Sequence, residues 1–134
     1  YGPQHLSASD GVLLHDGRIL VRGLETKWNT TSVAAIFEPR TGSWKQIKHP
    51  PARHRPKLAR IGDGRVLYFG GSAPGKGIRI SGGPVSESWV LNPKTERWRR
   101  GLDLPDGFEV QQPVILQDGR LLVIGRGRDV LLLQ

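Results

Sequence analysis

The phrase Asp16-Gly17-Arg18-Ile19-Leu20 returns as Asp63-Gly64-Arg65-Val66-Leu67 and again as Asp118-Gly119-Arg120-Leu121-Leu122, at spacings of 47 and 55 residues. Recurrence at this period means a chain built from copies of one supersecondary unit, stacked to bury a shared core. A second phrase alternates with the first. Glu38-Pro39-Arg40-Thr41-Gly42-Ser43-Trp44 recurs 54 residues later as Asn92-Pro93-Lys94-Thr95-Glu96-Arg97-Trp98, with proline, threonine and tryptophan in register. Proline to tryptophan is five residues in both copies, whereas Asp-Gly to proline grows from 23 to 30. Fixed spacing within a phrase and variable spacing between phrases predicts rigid turns joined by a loop of adjustable length.

Asp-Gly between apolar runs signals a β-hairpin, and the expected turn is type I′, with positive φ at both central residues. The flanks fit: Val12-Leu13-Leu14 before and Ile19-Leu20-Val21 after, Leu58 to Ile61 and Val66 to Phe69, Val114 to Leu116 and Leu121 to Ile124. The second strand of each pair is apolar on both faces, so it should be covered on both sides. The Pro-x-Thr-x-x-Trp phrase predicts a second hairpin. Proline presets the turn, and Trp44-Lys45-Gln46-Ile47 or Trp98-Arg99-Arg100 opens the return strand. Each unit is then four antiparallel strands. No amphipathic stretch of 3.6-residue period is long enough for a helix.

Four-stranded units near a 50-residue period, with glycines closing the second strand and tryptophan opening the fourth, resemble kelch repeats. Leu58 to Arg100 is the fullest copy, with Asp63, Gly64, Gly70, Gly71 and Trp98 at the positions of the repeat. Asp16, Gly17 and Trp44 match it in the first copy, and Asp118 and Gly119 in the third. The type is similar to the Asp-Gly-Arg kelch units of bacterial and galactose-oxidase-like propellers. The resemblance implies an all-β fold: a kelch-type β-propeller segment of two full four-stranded antiparallel blades plus most of a third. Residues 1–134 form a single segment, with blade 1 at about 11–48, blade 2 at about 57–101 and partial blade 3 at about 113–134. WD40 propellers are excluded for want of their Gly-His and Trp-Asp signatures. The sequence departs from the pattern in places: only the middle copy has the glycine doublet, and no tryptophan strand follows Val130-Leu131-Leu132-Leu133.

Propellers usually close with about 4–8 blades. Fewer would leave apolar faces and a sheet edge open, both of which invite association. A chain that begins at Tyr1 and contains no methionine reads as a fragment or a processed product. The alternatives are self-association and docking onto a protein partner, either of which completes the ring. No apolar run approaches the roughly 20 residues of a membrane span. Cysteine is absent, which removes disulfides, thiolate metal sites and a cysteine nucleophile, and leaves the compartment open.

Lysine and arginine outnumber aspartate and glutamate by 20 to 12, for a net charge of +8. Such an excess attracts anionic ligands without specifying a fold. In a propeller, Leu24 to Thr31, Lys48 to Lys57, Ser72 to Ser86 and Leu102 to Pro113 would share the face opposite the tight turns. The resemblance implies partner binding there. On this face Arg53, His54, Arg55 and Lys57 form a proline-stiffened basic loop, whose arginines suit carboxylates or phosphates as bidentate forks. Lys76 and Arg79 add positive potential. Trp28 stands outside the repeat, as a candidate interface anchor. The plain alternative for all of these is connector loops packed on one another.

His49 and His54 are five residues apart in a loop among cations, which does not make a metal site. Pro74-Gly75-Lys76-Gly77 lacks the helix and the Gly-Lys-Ser/Thr ending that a phosphate loop needs. Asn29-Thr30-Thr31 matches a glycosylation sequon. The basic loops carry almost no aromatic residues, so dedicated nucleic-acid recognition is not expected.

The leading expectation is a noncatalytic kelch-type segment for protein–protein association, as scaffold or subunit, with no cofactor. A second reading is glycan or polyanion binding through the Arg-rich loops. A third is a noncatalytic portion of a galactose-oxidase-like enzyme. The resemblance implies a copper radical site built from tyrosine, histidine and a cysteine cross-linked to tyrosine. This chain has two tyrosines and no cysteine, so that chemistry is not expected of it alone.

Overall fold

The computed structural model describes residues 6–25, 31–51, 55–74, 81–105, 107–127 and 130–133. Among these residues every regular element is a β-strand. Sheet 1 is the antiparallel meander β1 (Leu6–Leu13), β2 (Ile19–Glu25), β3 (Thr31–Glu38) and β4 (Ser43–Ile47). Sheet 2 runs β5 (Lys57–Arg60), β6 (Val66–Phe69), β9 (Trp89–Asn92) and β10 (Arg97–Arg100). Between β6 and β9 the chain makes a separate ribbon of β7 (Ser72–Pro74) and β8 (Ser81–Pro84). Sheet 3 has three strands, β11 (Val110–Ile115), β12 (Leu121–Gly125) and β13 (Val130–Leu133).

Residues opposite one another across a ladder share a face, and so do residues two apart along a strand. On sheet 1, Val12, Leu20, Ala34, Ile36 and Ile47 therefore share a face, and they pack against Val66, Leu91 and Trp98 of sheet 2. The other face of sheet 2 carries Ala59, Leu67, Phe69 and Val90, which meet Leu121 and Val123 of sheet 3. Sheet 2 is thus covered on both sides, as the unbroken apolar run Val66-Leu67-Tyr68-Phe69 requires. All four of those residues are buried. The first strands converge, with β5 against β1 on one side and β11 on the other. A register shift falls at the same point in β1 and β11, between Ala8 and Asp10 and between Val110 and Gln112.

Several expectations need correction. The Asp-Gly turns are not type I′. Only the glycines have positive φ, at 90°, 92° and 88° for Gly17, Gly64 and Gly119. Gly17 N–H donates to Leu14 O and Leu14 N–H to Arg18 O, and the other two copies repeat the pair of bonds. That is a three-residue loop closed by a left-handed glycine, which keeps the aspartate in ordinary backbone. The strands of sheet 1 also begin before residue 11. Ser72 to Ser86, expected as loop, contains the β7–β8 ribbon. The segment from Leu102 to Pro113, placed on the binding face, instead sends Leu104 and Phe108 into the core between sheets 2 and 3. An apolar plug there is covered at about 1.5–3 kcal/mol per large side chain.

Candidate functional site

On the tight-turn side, each Asp-Gly-Arg phrase builds the same brace. The aspartate Oδ1 accepts from the arginine N–H at 3.1 Å in all three, and Oδ2 accepts from the guanidinium Nε at 2.7, 2.6 and 2.7 Å. Partial burial pushes Asp16 and Asp63 up. The arginine hydrogen bonds and charge outweigh it and hold both below the usual aspartate range. For Asp118 the Arg120 N–H leads the same lowering. The turns also touch one another. A Cβ on Gly64 would meet His15 Nδ1 at 3.0 Å, and one on Gly62 would meet Gly119 Cα at 2.8 Å. Gly62 N–H donates to Gly119 O at 3.1 Å, which ties sheet 2 to sheet 3 through backbone.

Sheets 1 and 2 are joined by a charged clamp. Glu96, in the turn before β10, accepts from Arg18 Nη1 at 2.7 Å and from Lys45 Nζ at 2.5 Å. Arg18 Nη2 also donates to Pro93 O at 2.9 Å. The Lys45 hydrogen bond is the largest influence on Glu96; with its charge and Arg18 it overcomes burial and holds the carboxyl below the ordinary range. Deeper between the sheets, Arg22 is buried and pairs with Asp10 at 3.1 Å, its guanidinium 5.9 Å from the Tyr68 ring centre. Tyr68 is fully buried, edge-on to His49 and Trp98.

Two clefts flank sheet 2 at its outer strand. One, of about 710 Å³, lies between β4 and β10 and is lined by Ile47, Lys48, His49, Trp89 and Trp98 among others. Among the described residues the buried indole N–H groups of Trp89 and Trp98 meet no acceptor. The other, of about 350 Å³, is lined by Leu67, Ser88, Val90, Arg99 and Leu102, with Gly119 at the turn end.

The basic-loop candidates are only partly described. Arg55 is exposed, with a left-handed φ of 51°, and Lys57 opens β5 opposite Phe69, half-buried. Trp28, Arg53, His54, Lys76 and Arg79 lie outside the described residues. Of the repeat tryptophans, Trp98 packs between sheets 1 and 2, whereas Trp44 lies tilted against Phe37, ring centres 4.8 Å apart, on the far face of sheet 1. Gly70 and Gly71 both have positive φ, and a Cβ on Gly70 would meet Val110 Cβ at 2.9 Å, so the doublet lets sheet 3 approach. Sequence reasoning missed the Glu96 clamp and the buried Arg22. The one available signal for the clamp was a non-glycine residue where the first copy has Gly42.

The open faces at the two ends complete the site. Ile19, Val21, Phe37 and Trp44 share the far face of sheet 1, with Leu13, 58% exposed, beside them. Val114, Leu122, Ile124, Val130 and Leu132 share the far face of sheet 3, with Val130 60% and Leu132 41% exposed. Among the described residues neither face belongs to a core cluster.

No protein-family model matches the chain, and no curated protein matches it. Among solved structures it is similar to a fungal alcohol oxidase of the AA5 family in complex with copper, with a TM-score of 0.62 and 18% sequence identity. The match covers 96% of this chain and 31% of that one, so the chain spans about a third of the oxidase. The likeness is one of fold. This chain's residues do not fit the copper chemistry that the oxidase resemblance implies: cysteine is absent and Tyr68 is sealed beneath Arg22 and Trp98. Among the described residues no three His, Cys, Asp or Glu side chains could hold a metal ion.

Proposed function

We propose that the chain is a noncatalytic, kelch-type propeller segment whose biochemical role is association through its two end faces. One observation carries this. By repeat position, Ile19, Val21, Phe37 and Trp44 on the far face of sheet 1 correspond to Val66, Tyr68, Leu91 and Trp98, which sheet 1 itself covers. Leu122 and Ile124 on the far face of sheet 3 correspond to Leu67 and Phe69, which sheet 3 covers. The two ends are therefore complementary in the same sense as the internal interfaces, a head-to-tail geometry that closes into rings or extends. A second reading has the same faces packed by further sheets of an oxidase-like polypeptide, and the 96% and 31% coverage favours it.

Sedimentation over a range of concentrations, with a dye that fluoresces on apolar surface, separates the outcomes. Association as scaffold or subunit gives a defined oligomer with little dye bound, and Leu13→Lys or Leu132→Lys disperses it. The second reading gives a monomer that binds dye. A monomer that binds none sinks both.

A further inference from the structure

The 710 Å³ cleft between β4 and β10 has a lining that the repeat does not require. Trp98 belongs to the repeat, but Trp89 does not. Trp89 pairs with Tyr68 as Ala35 pairs with Val21, and Tyr68 and Val21 hold the same place in their two sheets. A tryptophan thus stands in sheet 2 where sheet 1 has only a methyl group. Trp89 and Trp98 are both half-buried and both line the cleft, with Ile47 and Pro50 completing its apolar surface.

Among the described residues neither indole N–H has an acceptor. A buried donor without a partner is costly, so turning either ring to meet an acceptor in the cleft gains a bond that the closed arrangement lacks. The rim is cationic. Lys48 and Arg97 are exposed, and their side chains make no ion pair among the described residues. The acid in the lining, Glu96, is already held by Arg18 and Lys45. Positive charge, indole donors and flat apolar surface therefore meet in one cleft, whose volume is that of a small-molecule site.

Cations draw an anion, and a carboxylate accepts charge-assisted bonds from a guanidinium, an ammonium or an indole N–H. The tryptophan rings add contact area for a flat ligand. An inorganic anion would leave that area unused, and a neutral ring would leave the cations unused. We infer that this cleft binds a small organic carboxylate carried on a flat apolar ring. Lys48 and Arg97 draw the carboxylate, and the indole N–H groups of Trp89 and Trp98 donate to its oxygens. The inference does not rest on end-face association, because the far faces of sheets 1 and 3 lie away from the cleft.

The test titrates the full chain with naphthoate and follows the indole N–H resonances, assigned by replacing each tryptophan in turn with phenylalanine. Saturable one-to-one shifts of the Trp89 and Trp98 signals are expected, with Trp44 still. Naphthylmethanol, the same ring without the charge, should bind more weakly by about tenfold. Trp89→Phe keeps a ring and removes a donor, and should also weaken naphthoate. Lys48→Gln combined with Arg97→Gln should weaken it by about tenfold and leave the thermal midpoint unchanged, since both positions are exposed. If Trp89→Phe loosens the fold, the exposed pair still decides. No saturable shift, equal binding of the alcohol, indifference to the Lys48 and Arg97 replacements, or equal movement of Trp44 would overturn the inference. So would a tetraglutamate peptide that moves the Trp89 and Trp98 signals where naphthoate does not, since the cleft would then dock protein. Leu13→Lys, which disperses end-face assembly, should leave the titration unchanged, so either idea can fail without the other.

Discussion

Glu96 occupies a left-handed backbone position, φ 59°, that its counterpart Gly42 fills at φ 70°. A side chain there costs roughly 1–2 kcal/mol. What holds it is the grip of Arg18 and Lys45 on its carboxylate, chiefly the half-buried Arg18 arm, since Lys45 is largely exposed. Glu96→Ala and Glu96→Gly both lose that grip, but glycine also relieves the backbone. Glu96→Gly should therefore be more stable than Glu96→Ala by roughly 1 kcal/mol in urea denaturation. The opposite ranking would mean that the position is not strained. A parallel comparison isolates close approach. Gly17 and Gly119 share the same backbone, yet a Cβ on Gly17 meets nothing within 4 Å, whereas one on Gly119 meets Gly62 Cα at 2.7 Å. Gly17→Ala should lose about 1 kcal/mol and Gly119→Ala distinctly more, on the order of 2–3 kcal/mol. Equal losses would show that sheets 2 and 3 yield at no cost.

The hairpins carry the acid sensitivity. Asp16, Asp63, Asp118 and Glu96 all have lowered carboxyl pKa values, so they favour the folded state above their unfolded values near 4. That contribution is lost as pH falls through the folded values. The urea midpoint should drop steeply below about pH 4. Replacing the three aspartates with asparagine should lower the midpoint at pH 6 and flatten the acid limb. An unchanged slope would assign the acid limb to other groups, including general repulsion in this cationic chain. These elements were legible in the sequence because turn chemistry is local: Asp-Gly and Pro-x-Thr fix a hairpin wherever they stand. The turn class was not, because Asp-Gly serves both the two-residue turn and the three-residue loop, and the residue before it decides. Leu104 and Phe108 were read as loop because only the neighbouring sheet makes an apolar residue in an irregular segment part of a core. Nor could spacing reveal Arg22 as buried. It stands where the other copies have Phe69 and Ile124, and its partner Asp10 is reached only across the ladder with β1.

At the scale of the molecule, sheet 2 is the common wall of two core clusters that share no residue. Among the described residues the main contacts between sheets run through sheet 2, whose β5 meets β1 of sheet 1 and β11 of sheet 3. Such an array behaves as a sum of units and nearest-neighbour interfaces, and its ends can open before its middle. Truncation of a core leucine costs about 2–5 kcal/mol wherever it lies, but what unfolds should depend on the sheet that carries it. Leu121→Ala removes a fully buried side chain of sheet 3. Hydrogen exchange should quicken through β11, β12 and β13 and stay slow in β2 and β3. Leu20→Ala is its mirror image, expected to loosen sheet 1 and spare sheet 3. Leu67→Ala, in the shared wall, should quicken exchange in sheets 2 and 3 together. If Leu121→Ala instead speeds β2 and β3 as much as β12, the three sheets unfold as one body. Sheet 2, which shares a core with each neighbour, would then transmit the loss from one end of the row to the other.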